Sequence, residues 1–229
     1  MDAMSTRIKV FVIALMALVL SIVLIAYCLQ MSPASVRDLS RVALVGDSLT
    51  QITSYPSTLK LLLNSTSLYS NSTLCKFGAS GATVILTSIR PYMFDNISQQ
   101  AKDFQPTAVI MMLGTNDARA DVYPDIGRFV DDYKLLISQF QSLESKPQIF
   151  LVIPPPIYNN TINISGANFT SVVIPKIEQV ANEMDLPLID CYTPLLDHPE
   201  YFVDGVHLND EGSQAIANII YKYLTGNDT

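Results

Sequence analysis

Ala108-Val109-Ile110-Met111-Met112-Leu113 is an unbroken apolar run that stops at Gly114, and its reading decides the fold. A strand wetted on one face alternates polar and apolar residues, whereas a short continuous apolar run reads as a strand covered on both faces, the habit of parallel sheets. Upstream, Arg41-Val42-Ala43-Leu44-Val45 ends in Gly46 in the same way. Downstream, 148–153 is stopped by Pro154-Pro155-Pro156, which cannot continue a ladder. Shorter apolar runs at 74–77 and 186–189 supply two more strands. The intervening segments carry helical periodicity. Leu59, Leu62 and Leu63 face inward from 55–63. Ile126, Phe129, Val130, Tyr133, Leu136, Ile137 and Phe140 recur at three and four over 126–143, and Ile216, Ile219, Ile220 and Leu224 do so over 211–224. The segment 171–184 reads as a further helix, and 83–104 as mixed helical. Strands alternating with helices predict an α/β domain with a parallel sheet, right-handed crossovers and helices on both faces, occupying 41–229. A chain of 229 residues accommodates one such core and not two.

Composition excludes several function classes. Fourteen Lys and Arg against 21 Asp and Glu give a formal charge of -7, which argues against nucleic acid or an anionic lipid surface as the main partner. His198 and His207 are the only histidines, and Cys28, Cys75 and Cys191 are far apart. No spaced ligand set for zinc exists.

The amino terminus reads differently from the rest. From 10 to 29 the most polar residue is Ser21, and about 20 apolar residues span a hydrocarbon core of about 30 Å. Arg7 and Lys9 precede this run and the next basic residue is Arg37, so the positive-inside rule places the amino terminus in the cytosol. The expected organisation is a cytosolic segment 1–9, a single-pass membrane anchor 10–30, a stalk 31–40 and a lumenal or extracellular domain 41–229. The competing reading is a cleaved signal with an exit at Ser32-Pro33-Ala34, leaving a secreted protein. Asn-x-Ser/Thr sequons begin at Asn64, Asn71, Asn96, Asn159, Asn163, Asn168 and Asn227, candidate glycosylation sites that agree with passage through a secretory pathway.

Four short blocks can carry chemistry. Ser48 follows the first strand in Gly46-Asp47-Ser48-Leu49; a serine on a turn leaving the carboxyl end of a strand projects into the crevice where open α/β sheets bind ligands. The alternative is a helix N-cap. Asp204 lies three residues before His207, where its carboxylate can accept the imidazole Nδ1 proton and leave Nε2 as a base for a serine nucleophile; the alternative is an incidental surface pair. His198, between Asp197 and Pro199, reads as a loop residue. Gly78-Ala79-Ser80-Gly81 follows the second strand and Gly114-Thr115-Asn116-Asp117 the third. A glycine N–H approachable without a Cβ and an asparagine NH₂ group are oxyanion donors. All four blocks fall at carboxyl ends of predicted strands, which a parallel sheet brings to one edge.

Gly-Asp-Ser-Leu at 46–49, the glycine block, Gly-Thr-Asn-Asp at 114–117 and Asp-x-x-His at 204–207 resemble, in order and spacing, the blocks of the SGNH/GDSL hydrolases over residues 41–225. The resemblance implies Ser48 as nucleophile, Asp204 and His207 as the rest of a triad, and the N–H groups of Ser48 and Gly81 with the Asn116 amide as oxyanion hole. It also implies a flavodoxin-like three-layer α/β/α sandwich with strand order 2-1-3-4-5, and no metal or organic cofactor. The stretches 153–158, 186–190 and 193–209 look most like microbial carbohydrate and sialate O-acetylesterases. The expected activity is thus hydrolysis of carboxylic esters, short acyl groups on carbohydrate first, by a monomeric ectodomain. Lipase, thioesterase or acyltransferase chemistry on lipid, or a non-catalytic glycosylated surface role, are the alternatives. In the implied strand order Cys75 and Cys191 stand on opposite edges, beyond the reach of a disulfide, so both thiols are expected to be free.

Overall fold

A computed structural model describes residues 37–226 and, nearer the amino terminus, residues 8, 10–13, 15–19 and 21. The chain divides into two units, Met1–Arg37 and Asp38–Thr229. In the first, the described residues between 8 and 21 are helical and their apolar side chains, Val10, Phe11, Ile13 and Met16 among them, are exposed. The anchor expected over 10–30 lies in large part outside the described residues, and among the described residues no helix is long and apolar enough to cross a membrane.

The second unit is built on five parallel strands: β1 (Arg41–Gly46), β2 (Thr73–Gly78), β3 (Ala108–Met112), β4 (Gln148–Ile153) and β5 (Leu188–Asp190). Their order is β2-β1-β3-β4-β5, as the family resemblance implies. Helices α1 (Ser48–Ile52), α2 (Tyr55–Ser65), α3 (Asn96–Asp103), α4 (Phe129–Gln141), α5 (Ile174–Glu183) and α6 (Asp210–Thr225) flank it. The pleat sorts the strand residues into two cores. Ala43, Val45, Val109, Met111, Ile149 and Leu151 pack with Ala101 of α3, Phe129, Tyr133 and Ile137 of α4, and Ile177 and Val180 of α5. Val42, Leu44, Ala108, Ile110, Met112, Phe150 and Val152 pack with Leu59 and Leu63 of α2 and Ile216, Ile220 and Leu224 of α6. Because β1, β3 and β4 bury both faces, their sequences read as continuous apolar runs.

Several boundaries differ from the sequence reading, each for a physical reason. The helix expected over 126–143 opens as a 3-10 turn, Tyr123–Arg128, and becomes α-helical at Phe129. The helix expected over 171–184 begins with a π-turn, Phe169–Val173. The fifth strand starts at Leu188 rather than at 186, because Leu186 N donates back to Ala181 O and still belongs to the end of α5. Most of 83–104 is irregular; only Tyr92–Phe94 and α3 are helical there.

Strand register prepares the functional edge. Gly46 pairs with both Gly78 of β2 and Met112 of β3, so three strands end flush and their following loops leave from one line. Cys75 and Cys191 are free thiols, one on edge strand β2 and the other just past β5 at the opposite edge.

Candidate functional site

The loop after β1 makes an immediate turn into α1. Asp47, not Ser48, caps this helix, its Oδ1 accepting from Leu49 N at 2.9 Å. The N-cap reading of Ser48 is therefore corrected: Ser48 is the first helical residue, with its side chain free for another partner. That partner is His207, whose Nε2 lies 2.8 Å from Ser48 Oγ. On the other side of the ring, Nδ1 lies 2.6 Å from Asp204 Oδ2. Asp204 Oδ1 accepts the N–H groups of His207 and Val206 at 2.7 and 3.0 Å. Burial raises the affinity of this carboxylate for a proton, but the hydrogen bonds from His207 and Val206 outweigh it and hold Asp204 below its ordinary range. The carboxylate stays ionised and fixes the imidazole with Nε2 towards the serine.

The loop that carries this pair is held from two sides. Val203 N donates to His207 O, and Tyr158 N donates to Gly205 O, each at 2.8 Å. The Tyr158 hydroxyl donates towards Leu195 O and Leu196 O, and its ring meets Phe202 edge-on. Tyr158 thus ties the chain after β4 to the histidine loop, a role with no signal in the sequence beyond its position after three prolines. His198 is apart from this assembly: it pairs with Glu200 Oε1 at 2.8 Å and stacks on Tyr201.

The two remaining blocks arrive from β2 and β3. Gly78 is a packing residue, since a Cβ there would come 2.5 Å from Gln51 N of α1. Gly81 sits in the turn Ala79–Ala82, closed by Ala82 N donating to Ala79 O, with a φ of +77° that a side chain would strain. Its own N–H has no protein partner among the described residues. Asn116 is buried, and its Nδ2 donates to Ala82 O at 3.0 Å and, more weakly, to Asp47 Oδ2 at 3.3 Å. The same side chain therefore connects all three strand ends.

Carboxylates that the sequence reading left unassigned hold this frame. Asp117 is fully buried; Val84 N donates to it at 3.0 Å and Ile85 N at 3.0 Å. Leu86 N donates to Asp132 and the Thr87 hydroxyl to Asp125, so the chain that follows Gly81 is threaded along three acids. Burial is the main cause that pushes Asp117 up to about 7 and Asp47 up to about 6. The neighbouring Asp47 charge raises Asp117 further, and the hydrogen bonds from Val84 and Ile85 oppose the rise.

Of the sequon asparagines, Asn64, Asn71, Asn96, Asn159 and Asn163 are exposed and Asn168 is half-buried. Asn64 and Asn96 stand on helix ends rather than loops, and Asn227 lies outside the described residues.

A model of the GDSL-like Lipase/Acylhydrolase family matches residues 44–215. An acetylxylan esterase of Xylanibacter ruminicola is 27% identical over 218 residues, 84% of this chain and 44% of that protein. A GDSL esterase/lipase of Oryza sativa subsp. japonica is 24% identical over 152 residues, 58% of each. The chain thus spans about half the length of these relatives. Among solved structures, the acetyl xylan esterase AlAXEase superposes with a TM-score of 0.63 at 20% identity over 80% of this chain and 99% of that one. Est24, a carbohydrate acetylesterase from Sinorhizobium meliloti, gives 0.63 at 16% identity over 81% and 98%. These likenesses agree with the fold described above.

Proposed function

Starting from the chain's membership of the GDSL-like lipase/acylhydrolase family, we propose that it is a serine esterase that removes short acyl groups, acetyl first, from carbohydrate. One observation carries the reading: the continuous path from Asp204 through His207 to Ser48, with contacts of 2.6 and 2.8 Å. The acetylxylan esterase among its relatives supports the acyl group and the carbohydrate.

The chemistry follows from the groups in place. His207 Nε2 accepts the Ser48 hydroxyl proton as Oγ attacks the ester carbonyl. Negative charge gathers on the carbonyl oxygen, which takes the N–H groups of Ser48 and Gly81. It also takes the Asn116 N–H that now makes the weak 3.3 Å contact to Asp47. Ser48 N is at the first position of α1, where a helix has no internal acceptor for it. The intermediate collapses, the sugar alkoxide leaves with the proton held on His207, and water activated by the same imidazole releases acetate and restores Ser48.

The test is acetate release from acetylated xylo-oligosaccharides together with a p-nitrophenyl ester series from acetyl to long acyl chains. Activity concentrated on the acetyl esters and absent in Ser48→Ala is expected. A preference for long acyl chains overturns the substrate assignment, and full activity in Ser48→Ala overturns the mechanism.

We also propose that 10–30 anchors the chain with its amino terminus cytosolic and the domain 41–229 lumenal or extracellular. Support comes from Arg7 and Lys9 ahead of the apolar run and from exposed sequons on the domain. Retention in the membrane pellet under alkaline extraction, with a mass shift on removal of N-linked sugar, is expected; a soluble protein beginning near Ala34 contradicts the anchor.

A further inference from the structure

Between the loop that carries Gly81 and the loop that carries Asn116 lies a cleft of about 170 Å³, lined by Gly81, Thr83, Ile89, Arg90, Arg119 and Val122 together with Ser88 and Asp121. Residues of both proposed oxyanion loops line it or follow directly on them, so the cleft adjoins the turn that would supply the Gly81 N–H. Its volume is below the ~300–1,000 Å³ of clefts that enclose drug-sized ligands, which suits one sugar unit and not an oligosaccharide.

The cleft carries an unusual charge for this protein. Arg41, Arg90, Arg119 and Arg128 are the only arginines after residue 40 in a chain of formal charge -7, and two of the four line it. The two are engaged differently. Arg119 is satisfied by a forked pair with Asp121, Nε to Oδ1 at 3.0 Å and Nη2 to Oδ2 at 2.9 Å. Arg90 has only a 3.8 Å contact from Nε to Asp95 Oδ2, and its side chain is 56% exposed. Its guanidinium makes no hydrogen bond to protein among the described residues. Its side chain borders the turn that carries the proposed Gly81 donor: its Cδ is 3.9 Å from where a Cβ on Gly81 would be. A planar cation with open donors at the rim of an oxyanion site matches a carboxylate, which it can take with two parallel N–H···O bonds.

We propose that Arg90, backed by the Arg119–Asp121 pair, forms an anion subsite that selects esters whose alcohol half carries a carboxylate, such as an O-acetylated uronic acid. The assignment rests on the esterase reading above. Because the acyl group in that reading is short, the charged group belongs to the alcohol. Asp121 and Asp95 are the carboxylates facing the subsite; both are already paired with the two arginines.

The experiment compares kcat/KM for acetate release by the full-length protein on an O-acetylated uronic acid and on the methyl ester of the same acid, in which a methyl group removes the charge. Wild type is expected to prefer the free acid about fivefold through KM, with the preference shrinking as salt is raised. Arg90→Gln brings the ratio to about one, and Arg90→Lys keeps part of it. Each variant is checked by its melting temperature, and the ratio is immune to a partial loss of folded protein. Equal rates on the two esters in wild type overturn the subsite, as does an undiminished preference in Arg90→Gln. A preference for the hemisuccinate of a neutral sugar over both acetyl esters places the charge on the acyl side and overturns the assignment to the alcohol. Failure of the esterase reading is distinguishable: neither ester is then turned over, whatever stands at position 90.

Discussion

Two imidazole–carboxylate pairs stand within ten residues of one another between β5 and α6. His198 Nδ1 lies 2.8 Å from Glu200 Oε1, and His207 Nδ1 lies 2.6 Å from Asp204 Oδ2. By residue type and contact distance they are near equivalents. They differ in what the other ring nitrogen and the carboxylate meet. The His198 ring is 43% exposed and lies flat on Tyr201, whereas the His207 ring is 19% exposed and reaches Ser48. The Glu200 side chain is mostly exposed, while the Asp204 carboxylate also receives the N–H groups of Val206 and His207. A carboxylate beside an imidazole is therefore an incomplete signal. The pair becomes a candidate base only when the backbone locks the acid and the fold delivers a nucleophile to the opposite nitrogen.

That contrast can be broken most sharply at the rings. His207→Ala is expected to lower kcat/KM on p-nitrophenyl acetate by about 10⁶, the scale of losing the base from a serine triad, whereas His198→Ala leaves the rate unchanged. The acids give the next largest separation: Asp204→Asn is expected to cost about 10⁴ by releasing the imidazole tautomer, and Glu200→Gln nothing. Equal effects in either comparison contradict the assignment of roles.

The oxyanion frame yields smaller effects. Asn116→Ala is expected to reduce kcat by about 10²–10³ with KM nearly constant, since the amide acts on charge that exists only in the transition state. Asp117→Asn keeps the shape but places an NH₂ group against the Val84 or Ile85 N–H. A shift in the Gly81 turn is expected to lower kcat about tenfold, again without a matching change in KM; a rise in KM alone means the loop positions substrate rather than the oxyanion.

The smallest effect is on stability. Asp117 titrates near 7 and Asp47 near 6 in the folded chain, above their ordinary value of 3.8. The folded state therefore holds protons that the unfolded chain releases, and their contribution to stability is greatest below about 4 and is lost as the pH rises through 6 to 7. The melting temperature is expected to fall over that interval, and Asp117→Asn to flatten the fall; a steeper fall in the variant contradicts the shift.

The sheet was legible because each central strand is buried on both faces, so Val42 to Val45 and Ala108 to Met112 announce themselves by composition alone. The seven apolar positions over 126–143 were legible too, although Ile126 belongs to a 3-10 turn and not to the helix itself. The five residues of α1 gave no period to read, and a helix that short is held by its Asp47 cap and its packing. The segment after Gly81 was misread because its apolar residues Val84, Ile85, Tyr92 and Met93 are buried without a regular backbone. Its N–H groups are satisfied by acids 33 and 46 residues away in sequence, and such long-range pairing leaves no local pattern. For the same reason Ser48, Asn116, Asp204 and His207 could be read from their blocks, whereas Asp47, Asp117, Tyr158 and Arg90 acquire meaning only from what the fold sets beside them.

The central claim is that His207 makes Ser48 the one activated nucleophile of the domain. Reaction with diethyl p-nitrophenyl phosphate followed by peptide mass spectrometry tests it directly. A single diethylphosphoryl adduct is predicted on the peptide containing Ser48, formed by wild type and His198→Ala alike and lost in His207→Ala. An adduct on another serine, or equal labelling of Ser48 without His207, would contradict the account.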